Sequence, residues 1–222
     1  MSFRIFSLLL FLISSVSAQT KSTSGGIHVR FLAEQTPEGL GKVFLHLGEV
    51  KSESFDLPTR FLSESVPVGA RPMALKTVEK EVTLCSITLP ETGGSFAVVL
   101  VAAKPAGYGA IFVRTDDPAF KAGDVFFINQ SDKIVLGKLG TAPLVLKPGD
   151  TAKSRPTGPV DNAYYDIAFA VRSEKGDKLI SSSRWPIDNN LRSYLVFFND
   201  AKGRTTFRAI DEHLVGNSSA NP

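Results

Sequence analysis

One cysteine, three histidines and one tryptophan occur in 222 residues. The lone Cys85 excludes an intramolecular disulfide and any zinc site built on two thiolates. His28, His46 and His213 leave little for metal or acid–base chemistry. Charge of one sign is lacking too. Twenty-five basic and 22 acidic residues give a net charge of +3, too small for the electrostatic footprint of a nucleic-acid binder. Neither Gly-x-Ser-x-Gly, nor a phosphate-binding loop, nor His-Glu-x-x-His occurs. No cofactor and no nucleic-acid partner are therefore expected.

Long apolar runs are also missing beyond the first 18 residues, so no transmembrane segment is expected. Met1–Ala18 is different: Arg4 begins it, Ile5–Ile13 is apolar, and Val16-Ser-Ala18 places small residues at −3 and −1 of a cleavage site. That is a secretory signal peptide, too short to span a bilayer. Cleavage would remove 18 of the 222 residues and leave 204, exported to the periplasm, the cell surface or the medium. In an oxidising compartment, small domains often lean on disulfides; this one must lean on apolar packing. Cys85, inside the β-branched run Val82–Leu89, reads as a buried inert thiol.

What is abundant is alternation. Ile27/Val29/Phe31, Val43/Leu45/Leu47 and Ile167/Phe169/Val171 step with period two, and Phe96–Val101 is a near-continuous apolar run of the kind found in central strands. Turn chemistry such as Glu91-Thr-Gly-Gly94 and Lys147-Pro-Gly-Asp150 separates them. No long segment carries an apolar 3.6 period. The expected fold is all-β, with two tandem immunoglobulin-like antiparallel β-sandwich domains.

An internal repeat supports the division. Ile27-His-Val-Arg30 recurs as Ile111-Phe-Val-Arg114 at an offset of 84, and Gly41-Lys-Val-Phe44 as Gly123-Asp-Val-Phe126 at 82. Val98-Val-Leu-Val101 recurs as Tyr194-Leu-Val-Phe197 at 96, with inserted-looking sequence between Asn162 and Asn190. The expected organisation is a signal peptide over 1–18, a flexible N-terminus over 19–26, a first sandwich over 27–115, a second over 116–213 and a flexible tail over 214–222. The joint Thr115-Asp-Asp-Pro118 is short enough to fix the angle between the domains.

Strand spacing and repeat resemble those of tandem immunoglobulin-like secreted bacterial proteins. The antibody-type Cys–Trp–Cys core is not there, since Cys85 and Trp185 fall in different copies. Periplasmic pilus chaperones share the two-domain architecture and length, but their characteristic motifs do not match.

Candidate sites are few. Trp185, flanked by Arg184 and the polar Asp188-Asn-Asn190, could present an aromatic anchor, and Tyr164 and Tyr165 lie in the same segment. Asp116, Asp117 and Asp124 at the joint could form part of a calcium shell, or simply serve turns. His28 and His46 would approach each other if the first two strands paired antiparallel. The sequons at Asn129 and Asn217 matter only in a glycosylating host.

The expectation is an exported, non-catalytic interaction or structural module of the cell envelope, with an envelope protein or a glycan as partner. The alternatives are a carbohydrate-binding module using Trp185 with Tyr164 or Tyr165, and a small secreted hydrolase with a carboxylate site.

Overall fold

In a computed structural model, residues 26–103, 106–158 and 163–214 are described. The expected signal peptide, most of the expected flexible N-terminus, Asn217 and the expected tail after Leu214 lie outside them. Sixteen strands and no helix occur among the described residues. The first eight are β1 (Ile27–Ala33), β2 (Val43–Leu47), β3 (Val50–Lys51), β4 (Val66–Val68), β5 (Pro72–Thr77), β6 (Thr83–Thr88), β7 (Ser95–Ala102) and β8 (Tyr108–Arg114). The second eight are β9 (Val125–Asn129), β10 (Val135–Leu139), β11 (Ala142–Leu146), β12 (Thr151–Ser154), β13 (Tyr164–Ser173), β14 (Gly176–Pro186), β15 (Leu191–Asn199) and β16 (Thr205–His213).

Each set of eight builds one sandwich, and the two have the same topology. The first pairs sheet β4-β1-β7-β8 with sheet β3-β2-β5-β6; the second pairs β12-β9-β15-β16 with β11-β10-β13-β14. Adding eight to every strand number converts one into the other. Even the exceptions coincide: β1–β7 and β9–β15 are parallel within otherwise antiparallel sheets. The repeat is thus real in the fold, but two of its sequence matches are out of place. Ile111–Arg114 belongs to β8, not to a counterpart of β1, and Gly123–Phe126 opens β9, not a counterpart of β2. The Val98/Tyr194 match finds the right strands, β7 and β15, one residue out. Val98 faces the first core and Tyr194 faces away from the second, so Leu195 is the counterpart of Val98. A slip of one residue exchanges the faces of a strand. Residues 163–190, expected as part of an insertion, hold β13 and β14, longer versions of β5 and β6.

Three apolar cores hold the chain together. Val29, Phe31, Leu45, Leu75, Phe96, Val98 and Leu100 are among those filling the first sandwich. Phe127, Phe169, Leu195 and Phe197 are among those filling the second. The third lies between the sandwiches. Leu32, Ala97, Val99 and Val113 from the first meet Phe120, Ile128, Tyr194, Val196 and Ile210 from the second. The order of layers is therefore outer sheet, inner sheet, inner sheet, outer sheet. It explains why Phe96–Val101 is apolar at every position: its even residues enter the first core and its odd ones the third.

A polar cluster closes one margin of that third core. Arg192, 4% exposed, donates to Glu212 through Nε at 2.7 Å and to the linker carbonyls of Thr115 and Phe120 at 2.7 and 3.2 Å. Tyr194 Oη donates to the same carboxylate at 2.6 Å, and Arg30 reaches it across the joint at 3.2 Å. Phe120 lies under the Arg192 guanidinium, 4.6 Å from ring centroid to Cζ. Elsewhere on the joint, Arg208 of β16 donates to the carbonyls of Glu34 and Thr59 at 2.7 and 3.0 Å. The two sandwiches are packed together rather than tethered.

Local backbone demands are met by particular residues. Asn129, fully buried, donates to the carbonyls of Lys133 and Leu146 and accepts from Ser131, so the first sequon is consumed by the β9–β10 turn. Gly140 has φ +58°, and a Cβ there would lie 1.9 Å from the Thr157 carbonyl oxygen. At Gly149 φ is +84° but nothing lies within 4 Å of such a Cβ. Gly140→Ala is expected to cost at least about 2 kcal/mol in urea unfolding, and Gly149→Ala only about 1, because the first adds a backbone clash to the same left-handed strain. Equal losses at the two positions would show that Thr157 moves aside freely.

Candidate functional site

The two ends of the second sandwich differ. At the end where the linker enters, a cleft of about 310 Å³ opens between the sheets. Trp185 and Tyr165, cross-strand partners on β14 and β13, form one wall. Gly123–Val125, Arg155, Leu191, Ser193, Ala209 and Asp211 form the opposite wall, and the loop Ile187–Asn189 closes the rim. The volume lies at the lower end of the range for small-ligand pockets, about 300–1,000 Å³. The wider depression at the other end, about 490 Å³, is lined by Arg172 and Arg204, whose charges are matched by Asp177 and Asp200.

Alternation decides which candidates meet. Tyr165 and Trp185 point inward, Tyr165 buried and Trp185 half-buried with its ring edge-on to Phe169 at 6.5 Å. Tyr164 and Arg184 point outward, stacked on each other at 5.7 Å, with Arg184 also 3.6 Å from Asp166. The four candidates therefore divide into an inner pair on the cleft and an outer pair on the sheet surface. Trp185 is a cleft wall, not a freely exposed anchor. Burial, and then the charge of Asp211, push the Tyr165 hydroxyl up to about 12, so that carboxylate acts on the aromatic wall.

The three aspartates at the joint do not converge. Asp116 accepts from Gly94 and Arg114, Asp117 from Ala119 and Lys153, and Asp124 from Lys121 and Arg155. Among the described residues no group of three or more His, Cys, Asp or Glu is gathered to hold a metal. Neighbours in a loop need not be neighbours in space, and here each carboxylate has its own turn and its own cation. His28 and His46 are likewise apart, because β1 and β2 belong to different sheets. Cys85 is buried, and burial raises its thiol pKa, as befits an inert core residue.

Sequence reasoning missed Asp188 and Asp211. Asp188 accepts from the Asn190 N–H at 2.7 Å and Asp211 from Ser193 Oγ at 2.6 Å; neither has a cationic partner among the described residues. Asp188 stands three residues after Trp185, which could have pointed to it; Asp211 joins the cleft only through the pairing of β15 with β16.

Among the described residues, the corresponding end of the first sandwich is filled rather than open. Leu75 lies opposite mid-β2 and Cys85, as Phe169 lies opposite mid-β10 and Ser181. Four residues further along each pair stand Arg71 with Leu89 and Tyr165 with Trp185. Leu89, 2% exposed, plugs that end, and Arg71 ties down the carbonyls of Pro90 and Gly93. The duplicated fold closes one copy with leucine and opens the other around tryptophan.

No protein-family model matches this chain, and no curated protein matches it. Among the described residues no helix is long and apolar enough to cross a membrane.

Proposed function

We propose that the protein is exported and acts as a non-catalytic binding module of the cell envelope, with the Trp185–Tyr165 cleft as its contact site. The observation that carries this reading is the contrast between the two copies. One topology, built twice, is plugged by Leu89 in the first sandwich and holds a cleft walled by Trp185 and Tyr165 in the second. Cores are filled by default, and a hollow lined by aromatics and carboxylates is the form ligand sites take. The inner sheets are committed to each other, so the open ends and outer sheets are left for partners.

A sugar is the second reading of the cleft, favoured by the paired aromatic rings, on which a pyranose can stack. Trp185 is the only tryptophan in the chain, so its fluorescence reports the site directly. Titration with cell-envelope polysaccharides and with envelope protein fractions should give saturable changes in emission, which Tyr165→Leu weakens by at least about fivefold. An emission indifferent to every such fraction would overturn the binding reading. Release of reducing ends from a glycan, abolished in Asp188→Asn or Asp211→Asn, would replace it with the hydrolase.

A further inference from the structure

Resting on the cleft as a binding site, its charge pattern identifies the chemical class of what enters. We propose that the cleft takes a cationic side chain of a protein partner, an arginine or a lysine, laid against Trp185 with its charge between Asp188 and Asp211.

Three aspartates and one arginine line the cleft. Arg155 is already committed, its Nε donating to Asp124 at 2.6 Å and its Nη2 to the Ala122 carbonyl at 2.6 Å. Among the described residues Asp188 and Asp211 are left without a counter-charge, in a chain that is net basic. Each is held in place by a single donor, the Asn190 N–H and the Ser193 hydroxyl. An ionised carboxylate has room for about four donors, so most of their accepting capacity faces the cleft or solvent. A guanidinium or ammonium satisfies it with charge-assisted hydrogen bonds. The aromatic wall serves the same ligand: the face of an indole attracts a cation, and the apolar stem of arginine or lysine covers the ring beside it. The corresponding end of the first sandwich supports the assignment by opposition. There the chain's own Arg71 lies across from Leu89 and binds backbone carbonyls, whereas in the second sandwich the arginine position is Tyr165, and among the described residues the cleft's one lining cation, Arg155, is paired with Asp124.

The test is calorimetric titration of the full mature chain with N-acetyl-arginine amide, N-acetyl-lysine amide, the neutral N-acetyl-norleucine amide and a methyl hexoside. The arginine and lysine probes should bind, the norleucine probe at least about tenfold more weakly, and affinity should fall between 50 and 500 mM salt as charge pairing is screened. Asp188→Asn and Asp211→Asn should each weaken the arginine probe by about fivefold or more, while leaving the urea midpoint unchanged, because neither side chain is buried and an asparagine Oδ1 still accepts the single bond each makes. Equal binding of norleucine and arginine, or insensitivity to both asparagine variants, overturns the cation assignment. Binding of the hexoside alone overturns it and leaves the cleft a binding site. Silence of all four probes, in a chain whose Trp185 emission does respond to envelope fractions, overturns the assignment alone; silence of the emission as well overturns both readings.

Discussion

Replacing Glu212 by alanine should destabilise the protein by about 3–5 kcal/mol, the cost of stranding a buried charge. Arg192 is 4% exposed, and among the described residues Glu212 is the only carboxylate that it meets. Without that carboxylate the guanidinium keeps two linker carbonyls and the face of Phe120, but no opposite charge. Tyr194 Oη loses its acceptor at the same time. Urea unfolding followed by Trp185 emission measures the loss. Pairing Glu212→Leu with Arg192→Met should recover a large part of it, since apolar replacement of a whole buried pair is often neutral or better. A loss in Glu212→Ala below about 1 kcal/mol would mean that the pair is solvated.

The same carboxylate predicts the response to acid. Burial pushes the Glu212 pKa up, but hydrogen bonds from Arg192 and Tyr194, with the charges of Arg192 and Arg30, outweigh it and hold the pKa below 4.5. A depressed pKa means that the unfolded chain takes up the proton first. The stabilisation is therefore complete above about pH 4.5 and is lost as pH falls through the native value. Glu212→Ala lacks this contribution at every pH, so the difference between it and the parent should narrow on acidification.

The strands were legible in the sequence and their partners were not. Period two marks Val29, Phe31, Leu45 and Phe169 as core residues whichever sheet they enter. It carries no information on which sheet that is, so it does not separate His28 from His46, although β1 and β2 face each other across a core. The unbroken run Phe96–Val101 signalled burial on both faces, but nothing in it named the covering layer as the other sandwich. The repeat was detectable, yet its strongest-looking matches joined strands that are not counterparts. Short β motifs resemble one another by composition, whereas the topological repeat lies in pairing order. The site was legible by half. Trp185 and Tyr165 were found as aromatics near one another in sequence; alternation, applied strictly, would have separated them from Tyr164 and Arg184. Asp211 needed the β15–β16 register, and the contrast with Leu89 needed the registers of four strand pairs.

Phe169→Ala is the second large effect, about 3–5 kcal/mol of lost stability, and it should reach the cleft as well. Phe169 is 1% exposed, with ring contacts to Phe127, Phe197, Phe207 and Trp185 at 6.1, 5.2, 5.3 and 6.5 Å. Opposite it on β10 stands Gly137, where a Cβ would lie 3.1 Å from the Phe169 ring, so the glycine is what leaves room for that ring. Removing the ring leaves a void beside a residue with no side chain to fall into it. Collapse is therefore limited, which places the loss at the upper part of the range for large-to-small changes. Phe169→Leu should lose less, because most of the volume stays. Both variants remove the edge-on support of Trp185, so iodide should quench its emission more readily in native buffer than in the parent chain. A destabilised Phe169→Ala with unchanged iodide access would show that Trp185 is positioned by β14 and Tyr165 alone. Increased access in both variants, graded with the volume removed, would tie the aromatic core of the second sandwich to the wall of its cleft.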